Sequence, residues 1–363
     1  MDLPKPIHGM SNINKAILTV KQKKENQKLS VINTVPSRFA MYFGTKFWFF
    51  FKAFYFFIVV PNLLLKLIFG HDKVVYRPIN GDKGQIYDLV YIFICRVFRV
   101  KLFIHHHSFN YLRTQNKIFL LLNRVIGAKA VHIVLGERMK DVLSTLYGID
   151  KKRIRVISNA AFFNQQEIKS TTESPETMLV IGHLANLCVE KGLDSFVQIC
   201  RELKILNVSF QAVIAGPCVN TEAKVIVDEA LIELPEVSYL GSVYGEDKNK
   251  FFYSLDAFVF PSQYKNEAEP LVLYEAGQYG VYLFGSSMGC MADVIQGMDG
   301  CCISDTSLLV KDIAKAIAVG IENNLFKDQR GKRKMLFEAM QKSSKIELEM
   351  LLQEMESYEL SKA

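Results

Sequence analysis

The run at residues 261–280, PSQYKNEAEPLVLYEAGQYG, places two carboxylates, Glu267 and Glu275, on either side of a proline. Pro270 can open a helix at its first position, where a fixed φ is an advantage and a missing N–H costs nothing. Glu275 then lies one turn in, and the amides of Leu271 and Val272 have no acceptor within the helix. Amides of this kind, aided by the helix dipole, can hold a diphosphate. A carboxylate in the preceding loop, which also holds Glu269, can bind sugar hydroxyls, and one on the helix a ribose diol. A glutamate at a helix start also serves as a simple cap; the order of the whole run favours the chemical reading.

A second cluster lies at residues 101–108, KLFIHHHS, a strand whose carboxyl end carries three histidines. Strand alternation sends His105 and His107 to one side and His106 to the other. An imidazole at that edge could hydrogen-bond a sugar or a diphosphate and contact an acceptor. Adjacent strand residues point apart and no acidic or Cys ligand lies nearby, which argues against a metal site. His132, within AVHIVL, reads as a satisfied core residue. The loop at residues 4–14, PKPIHGMSNIN, places Gly9 where a backbone could approach a ligand, a plain turn being the other reading. There is no D-x-D, G-x-S-x-G, Walker loop or G-x-G-x-x-G, so the chain offers no acidic pair for a nucleotide-bound metal and no hydrolase, NTPase or dinucleotide-dehydrogenase signature.

The elements that must position these groups alternate. Short β-branched runs at residues 73–76, 101–104, 130–135 and 153–157 are separated by helical-period stretches such as 137–147. Runs at 178–181, 210–215, 237–240 and 257–260 repeat the arrangement. Alternation of this kind means parallel sheets covered on both faces, twice over, and 363 residues suffice for two such domains. The polar segment 164–176 (NQQEIKSTTESPE) reads as the linker. The expected organisation is a domain at 1–163 with its first strand short or missing and a ligand-binding domain at 177–326. A helical segment at 327–363 then returns to the first domain. Two doubly wound domains bind ligands at the carboxyl edges of their sheets, here in a cleft between them.

Charge divides at the same place: residues 1–165 carry 26 Lys and Arg against 8 Asp and Glu, and the remainder 18 against 29. The first half therefore faces something anionic, a phosphate-bearing substrate or a membrane surface. No nucleic-acid-binding module accompanies the charge. The aromatic stretch 47–69 reads either as a buried helix or as an amphipathic helix resting among lipid headgroups. Its longest charge-free run has 13 residues and contains Pro61 and Asn62, against the ~20 apolar residues of a membrane span. The opening residues contain no apolar block of a secretory signal, and seven cysteines without C-x-x-C spacing read as buried thiols of a reducing cytoplasm.

The E-x7-E spacing, with Pro261-Ser262 before it and Glu275-Ala276 and Gly280 after it, resembles the donor-site motif of the retaining glycosyltransferases of family four. Glu190-Lys191-Gly192, Ile214-Ala215-Gly216 and Tyr239-Leu240-Gly241 resemble further elements of that family. The resemblance implies the GT-B fold, two Rossmann-like doubly wound domains, and transfer of a hexose from a UDP- or GDP-sugar, without metal or other cofactor. The acceptor it implies is a glycan or a lipid-linked saccharide in bacterial surface polysaccharide or lipopolysaccharide synthesis. Glu267 would orient the donor sugar, with His107 acting from the first domain. Lys191, Asn186, Gly216, Pro270, Leu271, Val272, Glu275 and Gly9 would hold the donor, and His105 and Ser108 would lie on the acceptor side. Asn186 stands where the family often has arginine, which puts one cationic phosphate contact in question. Val281-Tyr282-Leu283-Phe284 and Met288-Gly289 also depart from the pattern. A nucleotide-sugar epimerase of GT-B fold and a non-catalytic membrane-associated subunit are the alternatives. The expected location is cytoplasmic, peripheral on the inner face of an anionic membrane.

Overall fold

The computed structural model describes residues 1–5, 9–24, 30–42, 45–70, 74–163 and 178–360. The chain forms two compact units: unit 1 is Met1–Phe162 with Ser343–Ala363, and unit 2 is Phe163–Lys342. The expected linker lies outside the described residues.

Among the described residues, unit 1 has four parallel strands in chain order, β1 (Val74–Ile79), β2 (Lys101–His106), β3 (Val131–Val134) and β4 (Ile154–Val156). Its helices are α1 (Gly9–Lys24), α2 (Lys46–Phe69), α3 (Gln85–Val97), α4 (Asn110–Arg113), α5 (Lys117–Ile126) and α6 (Glu137–Tyr147). β3 is buried at all four positions, as a strand covered on both faces must be. One layer of the core packs Phe103, Val131 and Ile133 against Leu348, Leu351, Leu352 and Met355 of the chain's last helix, and Arg155 forks onto Glu354 at 2.9 and 3.2 Å. The turn after β1 is held by Asp88, whose buried carboxylate accepts from Arg77 Nε (3.0 Å) and from the amide of Asn80 (2.8 Å).

Among the described residues, unit 2 has six parallel strands, β5 (Leu179–Leu184), β6 (Phe210–Ala215), β7 (Val237–Tyr239), β8 (Ala257–Phe260), β9 (Tyr282–Ser286) and β10 (Cys301–Ile303), in the order β10-β9-β8-β5-β6-β7. The helices are α7 (Leu193–Ile205), α8 (Thr221–Glu233), α9 (Gly245–Ser254), α10 (Leu271–Gly277), α11 (Met291–Gly297), α12 (Leu309–Glu322) and α13 (Arg330–Leu360). The chain lays β6 and β7 to one side of β5, then returns to lay β8, β9 and β10 on the other. The winding direction therefore reverses between β5 and β8. Unit 2 extends into α13 because Arg333 donates to the carbonyls of Gly280 (2.9 Å), Leu325 (2.7 Å) and Phe326, while Arg330 donates to that of Tyr279 (2.8 Å).

The structure corrects several local expectations. The loop around Gly9 is helical from Gly9 onward, because Ile13 and Ile17 recur at helical spacing and are buried; residues 6–8 are outside the described set. The expected helix over 47–69 is present as α2, which runs through Pro61 for 24 residues. Cys95, Cys200 and Cys290 are buried, but Cys188, Cys218, Cys301 and Cys302 are only half-buried; none of the seven is in a disulfide. β9 and β10 were not expected as strands: YLFGS does not alternate, since β9 lies inside the sheet, and CCI is three residues long.

Candidate functional site

In unit 2, each expected donor-side residue lies beyond the carboxyl end of a strand or on the helix that follows. Asn186 and Lys191 follow β5, Gly216 follows β6, and the segment from Glu267 to Glu275 follows β8. In a parallel sheet this edge presents loops and helix starts to ligands, above all where the winding reverses. The loops after β5 and β8 meet at that reversal. The amide of Gln263 donates to the Glu190 carbonyl at 2.9 Å. Lys191 Nζ then reaches Glu267 Oε2 at 2.5 Å and stands 4.6 Å from the Tyr264 ring centre. Ser262 Oγ lies 3.4 Å from the same Glu267 oxygen. Glu267 is nearly buried while Lys191 is partly open, so a buried carboxylate is neutralised by a cation able to leave it.

Glycines set the close approaches of this site. Gly192 has φ +90°, and a Cβ there would stand 2.6 Å from the Pro261 carbonyl oxygen. Gly216 has φ +114°, and a Cβ there would fall 1.8 Å from the Ala185 carbonyl oxygen. Both needs, a left-handed backbone and space for a neighbouring chain, admit only glycine. Tyr239 and Gly241 complete the Gly216 turn: the Tyr239 hydroxyl donates to the Gly216 carbonyl (2.9 Å), and the Gly216 amide to the Gly241 carbonyl (2.7 Å).

Pro270 is the N-cap of α10, with ψ 128°, so Leu271, one residue later than expected, is the first helical residue. Glu275, on the next turn, is half-buried and paired with Lys248 of α9, Nζ to Oε1 2.7 Å. Glu269 accepts from the Tyr274 hydroxyl at 2.7 Å. In the sequence, Ser262 figures only as part of the motif, and neither Tyr264 nor Lys248 is singled out. Ser262 and Tyr264 lie inside the recognised run, whereas Lys248 lies 27 residues before its partner and has no local signal.

In unit 1, the histidines divide as alternation requires. His105 and His107 lie with ring centres 3.9 Å apart and planes tilted by 43°, and His105 Nδ1 shares a 2.6 Å hydrogen bond with the Tyr76 hydroxyl. His106 points the other way, with Nδ1 2.9 Å from the Tyr111 hydroxyl and Nε2 3.0 Å from His132 Nδ1. Burial holds the His105 and His106 pKa values well below the usual imidazole range, with neighbouring histidines adding to the shift, and brings His132 down to about 3. These rings are therefore neutral hydrogen-bonding groups near pH 7. β2 ends at His106, so His107 and Ser108 stand just past the strand, and Ser108 Oγ accepts from the Asn110 amide at 3.2 Å. Gly9 is the first residue of α1. His105, His107, Ser108 and Gly9 belong to unit 1, and the remaining site residues to unit 2. Among the described residues, no three His, Cys, Asp or Glu side chains gather as a metal ion would need.

Residues 164–340 match the family model "Glycosyl transferases group 1". The fold is similar to that of Anabaena Alr3699/HepE in complex with UDP, with TM-score 0.64 and 16% identity over 84% of this chain and 82% of that one. It is also similar to the lipopolysaccharide outer core galactosyltransferase WaaB in its apo form, with TM-score 0.64 and 16% identity over 93% of each chain. An uncharacterized 41.2 kDa protein in the cps region of Klebsiella pneumoniae is 23% identical over 205 residues, 53% of this chain. That alignment spans about half the length of the relative, 54%. The two parallel-sheet units have a GT-B fold, and residues 164–340 are similar to the glycosyltransferases of group 1.

Proposed function

We propose that the chain is a retaining, metal-independent glycosyltransferase that moves a hexose from a UDP- or GDP-sugar to a lipid-linked or glycan acceptor in bacterial surface polysaccharide assembly. The observation that carries this reading is the Lys191–Glu267 pair at the point where the unit 2 sheet reverses its winding. A cation for a diphosphate and a buried carboxylate for sugar hydroxyls stand side by side there, as an activated sugar requires. Lys191 and the first amides of α10, at Leu271 and Val272, would take the diphosphate, and Glu275 the ribose diol. Gly216 keeps side-chain bulk away from the nucleotide, and Asn186 is exposed beside it. Glu267 orients the sugar. His107, with His105 and Ser108 beside it, serves the acceptor side, and Gly9 opens a helix on the same unit. The UDP and UDP-glucose complexes of HepE and the galactosyl transfer named for WaaB support a nucleotide-hexose donor. The cps region of the Klebsiella relative supports the polysaccharide setting. The basic first half supports peripheral contact with the anionic inner face of the cytoplasmic membrane.

The test is protection against heat. A donor held at this site binds the native state alone and raises Tm by mass action. UDP- and GDP-sugars are screened, and the one that protects is offered with lipid-linked acceptors. Transfer should persist in EDTA and leave the anomeric configuration unchanged. A chain whose Tm no nucleotide sugar moves would remove the reading.

A further inference from the structure

The helix α2 is attached to unit 1 along one stripe and bare along the other. Trp48, Lys52, Val59 and Lys66 fall within about 40° of one another around a helix of 3.6 residues per turn. Trp48 and Val59 are buried, Lys52 Nζ lies 3.4 Å from Asn80 Oδ1, and Lys66 Nζ donates to the Val31 carbonyl at 3.0 Å. Phe56, beside this stripe, packs on the Tyr87 and Tyr91 rings of α3 at 5.4 and 5.5 Å. The helix is therefore fastened near both ends and in its middle.

The opposite stripe holds Phe50, Phe54, Phe57, Ile58, Leu65 and Ile68, all exposed, with Phe57 at 72%. Both lysines between Ala53's neighbours and Phe69, Lys52 and Lys66, lie on the attached side, so this outward face is free of charge beyond Lys46. Beside it, α3 carries a second exposed stripe at helical spacing, Ile86, Val90, Phe93 and Val97. An exposed apolar surface of this extent marks an interaction site.

We infer that α2 and the outer stripe of α3 form one platform that lies in the plane of an anionic phospholipid bilayer, α2 resting in the headgroup region along its length. Charge selects the occupant. Arg38, Lys46, Lys83, Arg96 and Arg99 are exposed on or next to these elements, α2 has no acidic residue, and the one on α3, Asp88, is buried against Arg77. A bare apolar stripe with basic residues around it is the pattern of a helix held at a lipid interface. By length and composition α2 could also cross a membrane. Its attachment to Asn80 and Val31 sets it flat instead, since a crossing would tear both lysines from their partners. The platform also touches the carboxyl edge of the unit 1 sheet: Lys52 reaches Asn80, the residue after β1, and α3 begins five residues beyond it. A lipid-linked acceptor would arrive at that edge from the bilayer. The inference deepens the membrane contact of the proposed function, but its geometry does not depend on glycosyl transfer.

The experiment is co-sedimentation of the full chain with vesicles of phosphatidylcholine, alone or with phosphatidylglycerol. Binding should require the anionic lipid and weaken with salt. The variant Phe54→Ser/Phe57→Ser/Leu65→Ser should bind at least tenfold more weakly while keeping its circular dichroism and its calorimetric UDP affinity. With Phe57→Trp, lipids brominated near the headgroup end of their chains should quench the new indole more than lipids brominated near the terminal methyl, and alkaline carbonate should release the protein. Wild-type protein that ignores anionic vesicles overturns the inference, as does a triple variant that binds unchanged. Retention after carbonate overturns the in-plane placement. A dimer that the triple variant converts to monomer, without vesicle binding, would assign the face to a second copy instead. Vesicle binding without UDP binding would leave the platform standing and remove the donor-site reading.

Discussion

Lys191 Nζ and Glu267 Oε2 meet at 2.5 Å although 76 residues separate them in the chain. The contact exists because β5 and β8 are neighbours in the sheet, which brings the loops at their carboxyl ends together. The two groups hold each other, and under the proposed function a nucleotide sugar would offer diphosphate oxygens to the ammonium and hydroxyls to the carboxylate. Glu267→Gln keeps shape and hydrogen-bonding capacity but loses charge. It should lower kcat roughly 100-fold or more, the scale of removing one oriented electrostatic contact, with Tm nearly unchanged. Lys191→Ala should instead weaken donor binding by about 10- to 100-fold, the worth of a charge-assisted hydrogen bond. Steady-state kinetics with varied donor separates the two effects.

Lys248 and Glu275 form the second pair, at 2.7 Å, with both side chains partly open to solvent. A pair this exposed contributes at most about 1 kcal/mol to folding, so its loss should register in binding more than in stability. Glu275→Ala should reduce affinity for the ribonucleotide about tenfold and leave affinity for the 2′-deoxy analogue much less affected, because only the former presents the diol. Calorimetry on the two nucleotides reads the difference directly. Lys248→Ala should leave Tm within a few degrees, and a double-mutant cycle with Glu275→Ala measures the coupling.

What the sequence made legible here is what is local. Pro270 marks the start of α10, alternation separates His105 and His107 from His106, and the polar run after Phe260 identifies the loop that carries Glu267. The features that escaped are tertiary. The Lys248–Glu275 pair depends on α9 packing beside α10, and the short strand β10 is fixed by its pairing with β9 rather than by its own three residues. At α1, two prolines and a glycine outweighed the helical spacing of Ile13 and Ile17, whose burial decides the outcome. For α2 the helix itself was legible, but which of its faces is attached and which is bare depends on the partners it meets in unit 1.

The glycines of unit 2 allow backbone strain to be separated from collision. Gly216 and Gly241 both have left-handed φ, +114° and +67°, but a Cβ at Gly241 would meet nothing within 4 Å whereas one at Gly216 would overlap the Ala185 carbonyl. Gly241→Ala should therefore cost only the conformational penalty, about 1 kcal/mol. Gly216→Ala must also displace the strand-end backbone and should cost roughly 3 kcal/mol or more. Urea unfolding of the two variants measures the difference. Equal losses would show that the Gly216 turn relaxes freely, and then it could not hold a nucleotide at fixed distance.

His183 ties stability to pH. It lies wholly buried on β5 between the Phe196 and Phe260 rings, and its Nδ1 lies 2.9 Å from the Val259 carbonyl oxygen, so that the neutral ring donates there. Burial lowers its pKa from 6.5 to about 4, against the smaller opposing effect of that carbonyl. Between these values the unfolded chain binds a proton that the native chain refuses, so stability is complete above about pH 6.5 and falls as pH drops toward 4, by on the order of 3 kcal/mol for this one ring. His132, brought down to about 3, extends the same loss in unit 1 to lower pH. Replacing the imidazole with a group that does not titrate, His183→Gln, should lower stability at pH 7 yet flatten its decline between pH 6.5 and 4. Chemical denaturation at a series of pH values gives both slopes, and a variant that declines as steeply as the wild-type chain would show that His183 takes no part in the acid sensitivity.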